Sequence, residues 1–535
     1  MQVSFKLFTF AFLKYSALLD MKQPNIASRT RRTIQNSKMS FILFLGQVFI
    51  GFFSRRIFLE YLGDEVLGLN TTLGNILNFL NLAELGIGIA ISTSLYKPLH
   101  DNNRESICEI ITTQRILYRR IAIFLAIVGA LTMLTFPWFF PHVGCGLLYV
   151  YIAFTVFLSG SLTSYLWNYK EILFGADQKN FKLMPWIHGV RYAKIGLQLI
   201  FLLVVKWGIW GWIWWELVGN IATVFIINYV VRKEYPWLHV SDKAPKVLLK
   251  EHHSLIVKTK QLFIHKLAFF VLTETAPLII YAFVSLEIVT HYANYMLLIG
   301  YTTTLMNVVF EGMGASIGNL VSEGNKEHTK EVFWELFTSR IWIAGIFTIG
   351  LYLLIEQTIT IWIGPQYVLP RTTLLLMIIG MFIRMTRSII ESFKNAYQLF
   401  GDVWAPFAEA VINLGGSILF GYLWGLDGIL LGSNLSLILI VAIWKPYYTF
   451  KKGLSIPVSL YFYKYALHLL IIVVCALMAM GLSSLIFSSD GFIPLLFGNV
   501  LALILFSFFS FVTFYMSTVG MRRFTVRLKS IIHKS

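Results

Sequence analysis

The chain is short of charge. Asp, Glu, Lys and Arg make up 13% of its 535 residues, about half the share usual in a soluble globular domain. Too few charges remain to cover a soluble surface of that size. Cysteine is scarce as well: Cys108, Cys145 and Cys475 are too few and too scattered for a disulfide framework or a thiolate metal site. The 11 histidines fall into no H-x-x-x-H or H-E-x-x-H pattern, so no metal-dependent chemistry and no cofactor is expected. There is no G-x-x-x-x-G-K-[ST] loop, which excludes a pump driven by its own ATP. No loop between apolar runs is long enough for a catalytic domain, and the chain is not read as an enzyme. No small-residue cleavage site follows an early apolar core, so no secretory leader is expected.

What is abundant is apolar. Hydrophobic residues reach 57% and the mean hydropathy is +0.70. Apolar runs of about 18 or more residues recur along the whole sequence, the pattern of helices that cross a bilayer. Short segments of alternating polarity, as in a transmembrane barrel, are lacking. The reading is an all-α polytopic membrane protein with about 14 transmembrane helices. They are expected at 39–62, 67–96, 116–137, 146–168, 185–206, 209–231, 262–285, 290–320, 333–356, 370–395, 403–424, 427–449, 464–487 and 492–517. On this threading the net charge of +17 is lopsided. Thirty-four basic residues lie in the loops and span ends of one side, against Lys206 and Arg371 on the other. Positive-inside bias then places both termini in the cytoplasm. The excess charge faces anionic lipid headgroups, and no nucleic acid is needed to explain it.

Three echoes run through the chain. E84-L-G86-I-G88 returns as E311-G312-M-G314, with the glycines 226 positions on, and L-F-G175-A-D177 returns at the same offset as L399-F-G401-D402. W207-G-I-W-G211 returns 217 positions on as W424-G-L-D-G428. Repeats in one order imply two six-helix bundles related by a pseudo-two-fold axis along the membrane normal, with the substrate site between them. The segments are a cytoplasmic tail (1–38), a first bundle (39–231), a cytoplasmic linker (232–261), a second bundle (262–450), an extra helix pair (451–521) and a basic tail (522–535).

Charges inside spans are costly, about 2.5–3.5 kcal/mol each on insertion scales, so they mark interior surfaces. Arg55 and Arg56 in span one either snorkel to headgroups or line a cavity. Arg191 and Lys194 in span five leave the same choice open. Span two carries a polar stripe of Asn70, Gly74, Asn78, Asn81, Gly88 and Ser92, facing either a close neighbour helix or water. Glu84 lies beside it. In span seven, Glu274 precedes Pro277, which is expected to bend the helix. In span eight, Thr304, Asn307, Glu311, Gly314 and Gly318 share a face. Span ten is the clearest: Arg384, Arg387, Ser388, Glu391 and Asn395 lie on one face, with Arg387 and Glu391 spaced to pair. Glu409 in span eleven is a weaker candidate. Arginine forks suit phosphate, and buried carboxylates can exchange protons.

E60-Y-L-G-D-E-V-L-G-L-N, the E84-L-G-I-G-I-A-I stretch followed by Tyr96, Lys97, Pro98 and Leu99, and L-F-G-A-D-Q-K-N-F resemble the polysaccharide transport family. Those are the flippases for O-antigen, capsule and other lipid-linked oligosaccharides, within the multidrug/oligosaccharidyl-lipid/polysaccharide exporter superfamily. The resemblance implies alternating access in a bacterial plasma membrane, moving an undecaprenyl-diphosphate-linked glycan from the inner to the outer leaflet. It implies a monomer among membrane lipids, working beside glycan polymerase or ligase machinery, with H⁺ or Na⁺ coupling open. The cavity candidates are Arg55, Arg56, Arg191, Lys194, Arg384 and Arg387; those for ion coupling are Glu84, Glu274, Glu311 and Glu391. A drug or organic-cation antiporter of the same superfamily is the alternative, and a membrane polysaccharide polymerase or ligase a more distant one.

Overall fold

The computed structural model describes residues 24–81, 87–141, 143–252, 275–310, 317–318, 320–321, 324–397, 399, 401–402, 404–487 and 491–533. The described residues hold helices and no strand. The longer helices are α1 (Pro24–Leu80), α2 (Ile87–His100), α3 (Arg104–Met133), α4 (Leu147–Leu166), α5 (Asn180–Ile200), α6 (Gly208–Glu234), α7 (Pro245–Glu251) and α8 (Ala276–Phe283). Then come α9 (Leu286–Phe310), α10 (Lys326–Trp362), α11 (Arg371–Ala396), α12 (Trp404–Ser436), α13 (Val458–Ile486), α14 (Phe492–Ser517) and α15 (Val519–His533).

Ten helical stretches among the described residues are long and apolar enough to cross a membrane. This is an all-α, multi-pass membrane fold. Two of the ten are long: Met39–Leu80, with 42 residues, takes in the first expected span and the first half of the second, and Trp404–Leu454, with 51, takes in the eleventh and twelfth. At 1.5 Å per residue they measure roughly 60 and 75 Å, about twice the hydrocarbon thickness. Both are broken inside: α1 at Gly63 (φ 81, ψ 171) and α12 at Trp424 and Gly425 (φ 57, ψ −132). The expected seventh span falls mostly outside the described residues, as does the end of the eighth.

The break in α12 makes a hairpin. Ser417 donates to the Ile429 carbonyl at 3.0 Å and Asn413 to Ser433 at 2.9 Å, so the two arms run antiparallel. A Cβ on Gly428 or Gly432 would run into the backbone of Phe420 or Gly416, so these glycines set the close approach. The turn between α5 and α6 is built alike. Lys206 and Gly208 take left-handed backbones (φ 58 and 56) around Trp207, and Gln198 donates back to the Trp212 carbonyl at 3.0 Å. The tryptophan–glycine echo thus marks two hairpin turns.

The L-F-G echo does not end its helix on the glycine. Gly175 stays in the short helix Ile172–Ala176, and the left-handed residue is Gln178 (φ 56). Lys179 donates to Phe174 at 2.8 Å and Gln178 to Gly175 at 3.1 Å, a Schellman closure with glutamine in the usual glycine place. In the second copy the six-residue bond comes earlier, from Leu399 back to Lys394 at 3.0 Å. Pro277 sits in the first turn of α8, two residues after the N-cap residue Thr275, where a proline gives up no intrahelical bond. The part of the span before Thr275, which it was expected to bend against, lies outside the described residues.

Packing divides the chain between Thr290 and His291 into two compact units. In the first, the polar stripe of α1 bonds to α4. Tyr149 donates to Asn70 at 3.2 Å, Tyr165 to Asn81 at 3.1 Å, and Asn81 to Ser161 at 3.1 Å. The glycine that brings backbones together is Gly68, against Leu286, whereas a side chain at Gly74 would meet nothing within 4 Å. The segment after α6 is pinned rather than loose: Leu248 of α7 is fully buried and Lys243 pairs with Glu109 at 2.7 Å.

The second unit is centred on α10. Phe333, Phe337, Phe393, Phe450, Phe506 and Phe514 fill its core. Helices α13 and α14 each turn one face to α10, through Gly345 against Ile472 and Trp342 bonded to Ser510 at 3.2 Å. Their other faces expose leucines and phenylalanines such as Leu477 and Phe508. The basic tail is the helix α15, held to α10 by Arg523–Glu331 at 2.7 Å and Arg527–Glu335 at 2.8 Å.

Candidate substrate-binding site

Helix α11 is amphipathic in the expected register. Arg384 and Asn395 are exposed and Arg387, Ser388 and Glu391 partly so, while Ile383, Met385, Thr386, Ile389, Ile390 and Phe393 are buried. Arg387 pairs with Glu391 one turn on, Nε to Oε1 at 3.2 Å. The arrangement goes further than the sequence suggests. Lys445, just past the second arm of α12, reaches the same Glu391 oxygen at 3.4 Å and Oε2 of Glu409 at 3.1 Å. Lys445 is 8% exposed and Glu409 1%. Glu409 Oε1 is buried with no hydrogen-bond partner. Arg340 of α10, also buried, donates to the Met385 carbonyl at 2.6 Å, backing the turn of α11 between Arg384 and Arg387.

Helices α10, α11, the first arm of α12 and the segment carrying Lys445 thus bring together four cations, Arg340, Arg384, Arg387 and Lys445, and two carboxylates, Glu391 and Glu409. Among the described residues the surplus is two positive charges. Such a surplus calls for an anion, and guanidinium forks match phosphate oxygens bidentately, as a lysine does not. Lys445 and Arg340 were missed by reading the sequence. Lys445 sits at a span end, where a lysine reads as an inner-headgroup anchor, and Arg340 has no charged neighbour one turn away.

The other expected residues are differently placed. Lys194 pairs with Glu216 at 2.6 Å, and Gln198 donates to the other Glu216 oxygen at 3.1 Å. That ion pair closes the α5–α6 hairpin and uses the lysine charge. Arg191 lies one turn away and is exposed. Arg55 is partly buried and Arg56 exposed, on successive positions of α1. Glu84, Glu274 and Glu311 lie outside the described residues. Among the described residues no group of three or more His, Cys, Asp or Glu could hold a metal ion.

No family model matches the sequence, and no curated protein matches it. Solved structures match the fold. A structure of the lipid II flippase MurJ in its inward closed conformation aligns with a TM-score of 0.59, at 14% identity, over 89% of this chain and 98% of that one. The inward-facing conformation of a multidrug resistance MATE family transporter of the MOP superfamily aligns at 0.50, also at 14% identity, over 77% of this chain and 97% of that one. At such identities the likeness is one of fold. It reaches both lipid flippases and drug transporters, and does not single out the polysaccharide transport family.

Proposed function

We propose that this chain is a membrane flippase for an anionic, diphosphate-linked lipid oligosaccharide. The observation that carries the reading is the surplus of positive charge where α10, α11 and α12 converge, in a fold shared with a lipid II flippase. Carboxylate-dominated chemistry, as an organic-cation antiporter would favour, is not what these helices supply. The substrate head is taken up on the charged face of α11, and the lipid tail stays in the bilayer. The protein works by alternating access in a bacterial inner membrane, with both termini in the cytoplasm.

In this reading Arg384 and Arg387 take the diphosphate. The phosphate competes with Glu391 for Arg387, and the released carboxylate becomes the group able to take a proton or sodium ion. Glu409, with one oxygen on Lys445 and the other unpartnered, is the second such group. Glu84, Glu274 and Glu311 keep their proposed coupling role, and Arg55, Arg56 and Arg191 line the entrance as secondary contacts. The test is transport of a lipid-linked glycan into the outer leaflet of proteoliposomes. Arg384→Ala with Arg387→Ala is expected to abolish it while the melting temperature holds. Unchanged glycan movement, or drug efflux lost in its place, overturns the proposal.

A further inference from the structure

A second polar site lies in the second unit, away from the charged cluster. It is a cavity of about 220 Å³ bordered by Glu356, Gln357 and Tyr352 of α10, Arg371 at the start of α11, Ser483 and Ser484 near the end of α13, and Asn499 of α14. All three main walls come from helices able to cross a membrane. The lining positions fall within roughly three turns of the helix ends, where lipid headgroups sit.

The lining is rich in hydrogen-bond acceptors. Ser483 donates its proton to the Gly498 carbonyl, Ser484 to Gly481 at 2.8 Å, and Asn499 donates an amide hydrogen to Leu353 at 2.6 Å. Acceptor lone pairs remain on all three. Gln357 is 4% exposed, and its Oε1 is buried with no hydrogen-bond partner. Glu356 adds a carboxylate that is mostly covered, while the Arg371 side chain beside it is 72% exposed, its Nε 3.4 Å from Glu356 Oε1. The interior therefore offers acceptors and a negative charge, and the rim offers guanidinium donors. A primary ammonium, with three donors and no acceptor, satisfies the first; a phosphate satisfies the second. Joined by two carbons they make phosphoethanolamine. Next to the cavity, Leu485, Ile486 and Ile493 expose apolar side chains on which acyl chains can lie.

We infer that this cavity is a binding site for the headgroup of an aminophospholipid, with its ammonium on Glu356 and Gln357 and its phosphate on Arg371. The site is independent of which substrate the transporter carries. It makes phosphatidylethanolamine a structural partner seated where α13 and α14 join α10.

The test uses the full-length protein, delipidated in detergent, and native mass spectrometry after addition of phosphatidylethanolamine or phosphatidylglycerol of the same acyl chains. The expected result is about tenfold greater retention of phosphatidylethanolamine. Glu356→Gln is expected to erase that preference, and Arg371→Ala to weaken retention of both lipids. Gln357→Leu gives the same readout as Glu356→Gln without disturbing the ion pair, should the latter fail to fold. Equal retention of the two lipids by the unaltered protein, or a preference surviving both changes, overturns the assignment. Competition by free phosphoethanolamine at the same concentration as the lipid would overturn the lipid as the source.

Discussion

The two units place unlike chemistry on like positions. At the 226-residue offset, Ser161 and Tyr165 of α4 correspond to Arg387 and Glu391 of α11, and Asn81 to Asn307. In the first unit these residues close a neutral network, Tyr165 to Asn81 and Asn81 to Ser161. In the second, an ion pair extended by Lys445 and Glu409 stands in its place. The hairpins invert the pattern. At the 217-residue offset, Lys194 and Glu216 correspond to Val411 and Ser433. The α5–α6 hairpin is closed by charge and the α12 hairpin by Asn413 and Ser433. One scaffold thus tolerates either chemistry. The first unit uses its charge to hold a hairpin, whereas the second holds its charge with cations in surplus.

The comparison breaks most readily at Lys445. Removing it leaves Glu409 buried with no cation, a change that costs about 3–5 kcal/mol when one member of a buried pair is lost. Lys445→Ala should therefore lower the melting temperature more than any other change in the cluster, read by fluorescence melting in detergent. Lys445→Ala with Glu409→Ala should recover much of the loss. If the single change is silent, the pair is hydrated and the cluster is not a sealed one.

A second test writes the first unit into the second. Arg387→Ser with Glu391→Tyr installs the neutral residues of α4 on α11. The fold should survive within a few degrees of melting temperature, because the same pairing already packs in the first unit, and glycan movement should fall at least tenfold. Retained transport would mean that the charges of α11 are structural. A third test sharpens the equivalence of the two turns. Gly208 (φ 56) and Gly425 (φ 57) share a positive φ. Alanine at either should cost about 1–3 kcal/mol, by similar amounts. Unequal losses would show that the tryptophan–glycine echo marks two differently loaded turns.

The helical class and most spans were legible because lipid demands long apolar runs, and such runs survive any rearrangement of partners. The face of α11 was legible for a related reason: charges at i and i+4 on one helix meet whatever the neighbours do. Partners contributed by other helices were not. Lys445 finds Glu391 and Glu409 across sequence separations of 54 and 36, and no local spacing encodes that. The stripe on α1 left its partner open between a close helix and water, and the structure gives it the helix. Its asparagines bond to α4, and the tight approach falls on Gly68 rather than Gly74, since a glycine's neighbour is set by tertiary packing. Glutamine at the Schellman position escaped because hydrogen bonding there, and not residue type alone, closes the helix.

The smallest expected effect sets the floor for the comparison. Tyr165 is buried and donates one neutral hydrogen bond to Asn81 at 3.1 Å. Its ring also packs edge-on against Tyr118, centroids 5.3 Å apart. Tyr165→Phe keeps the ring and deletes the bond, so the cost should be about 0.5–1.5 kcal/mol. Transport should be unchanged, since nothing in the neutral network offers an anion a partner. The contrast with Lys445 is then a matter of charge: an amide left without one donor loses little, and a buried carboxylate left without its cation loses several times more. If Tyr165→Phe matches Lys445→Ala in stability, the neutral network contributes as much to the fold as the charged one. A loss of transport on Tyr165→Phe would place the first unit in the substrate path and move the binding site away from α11 alone.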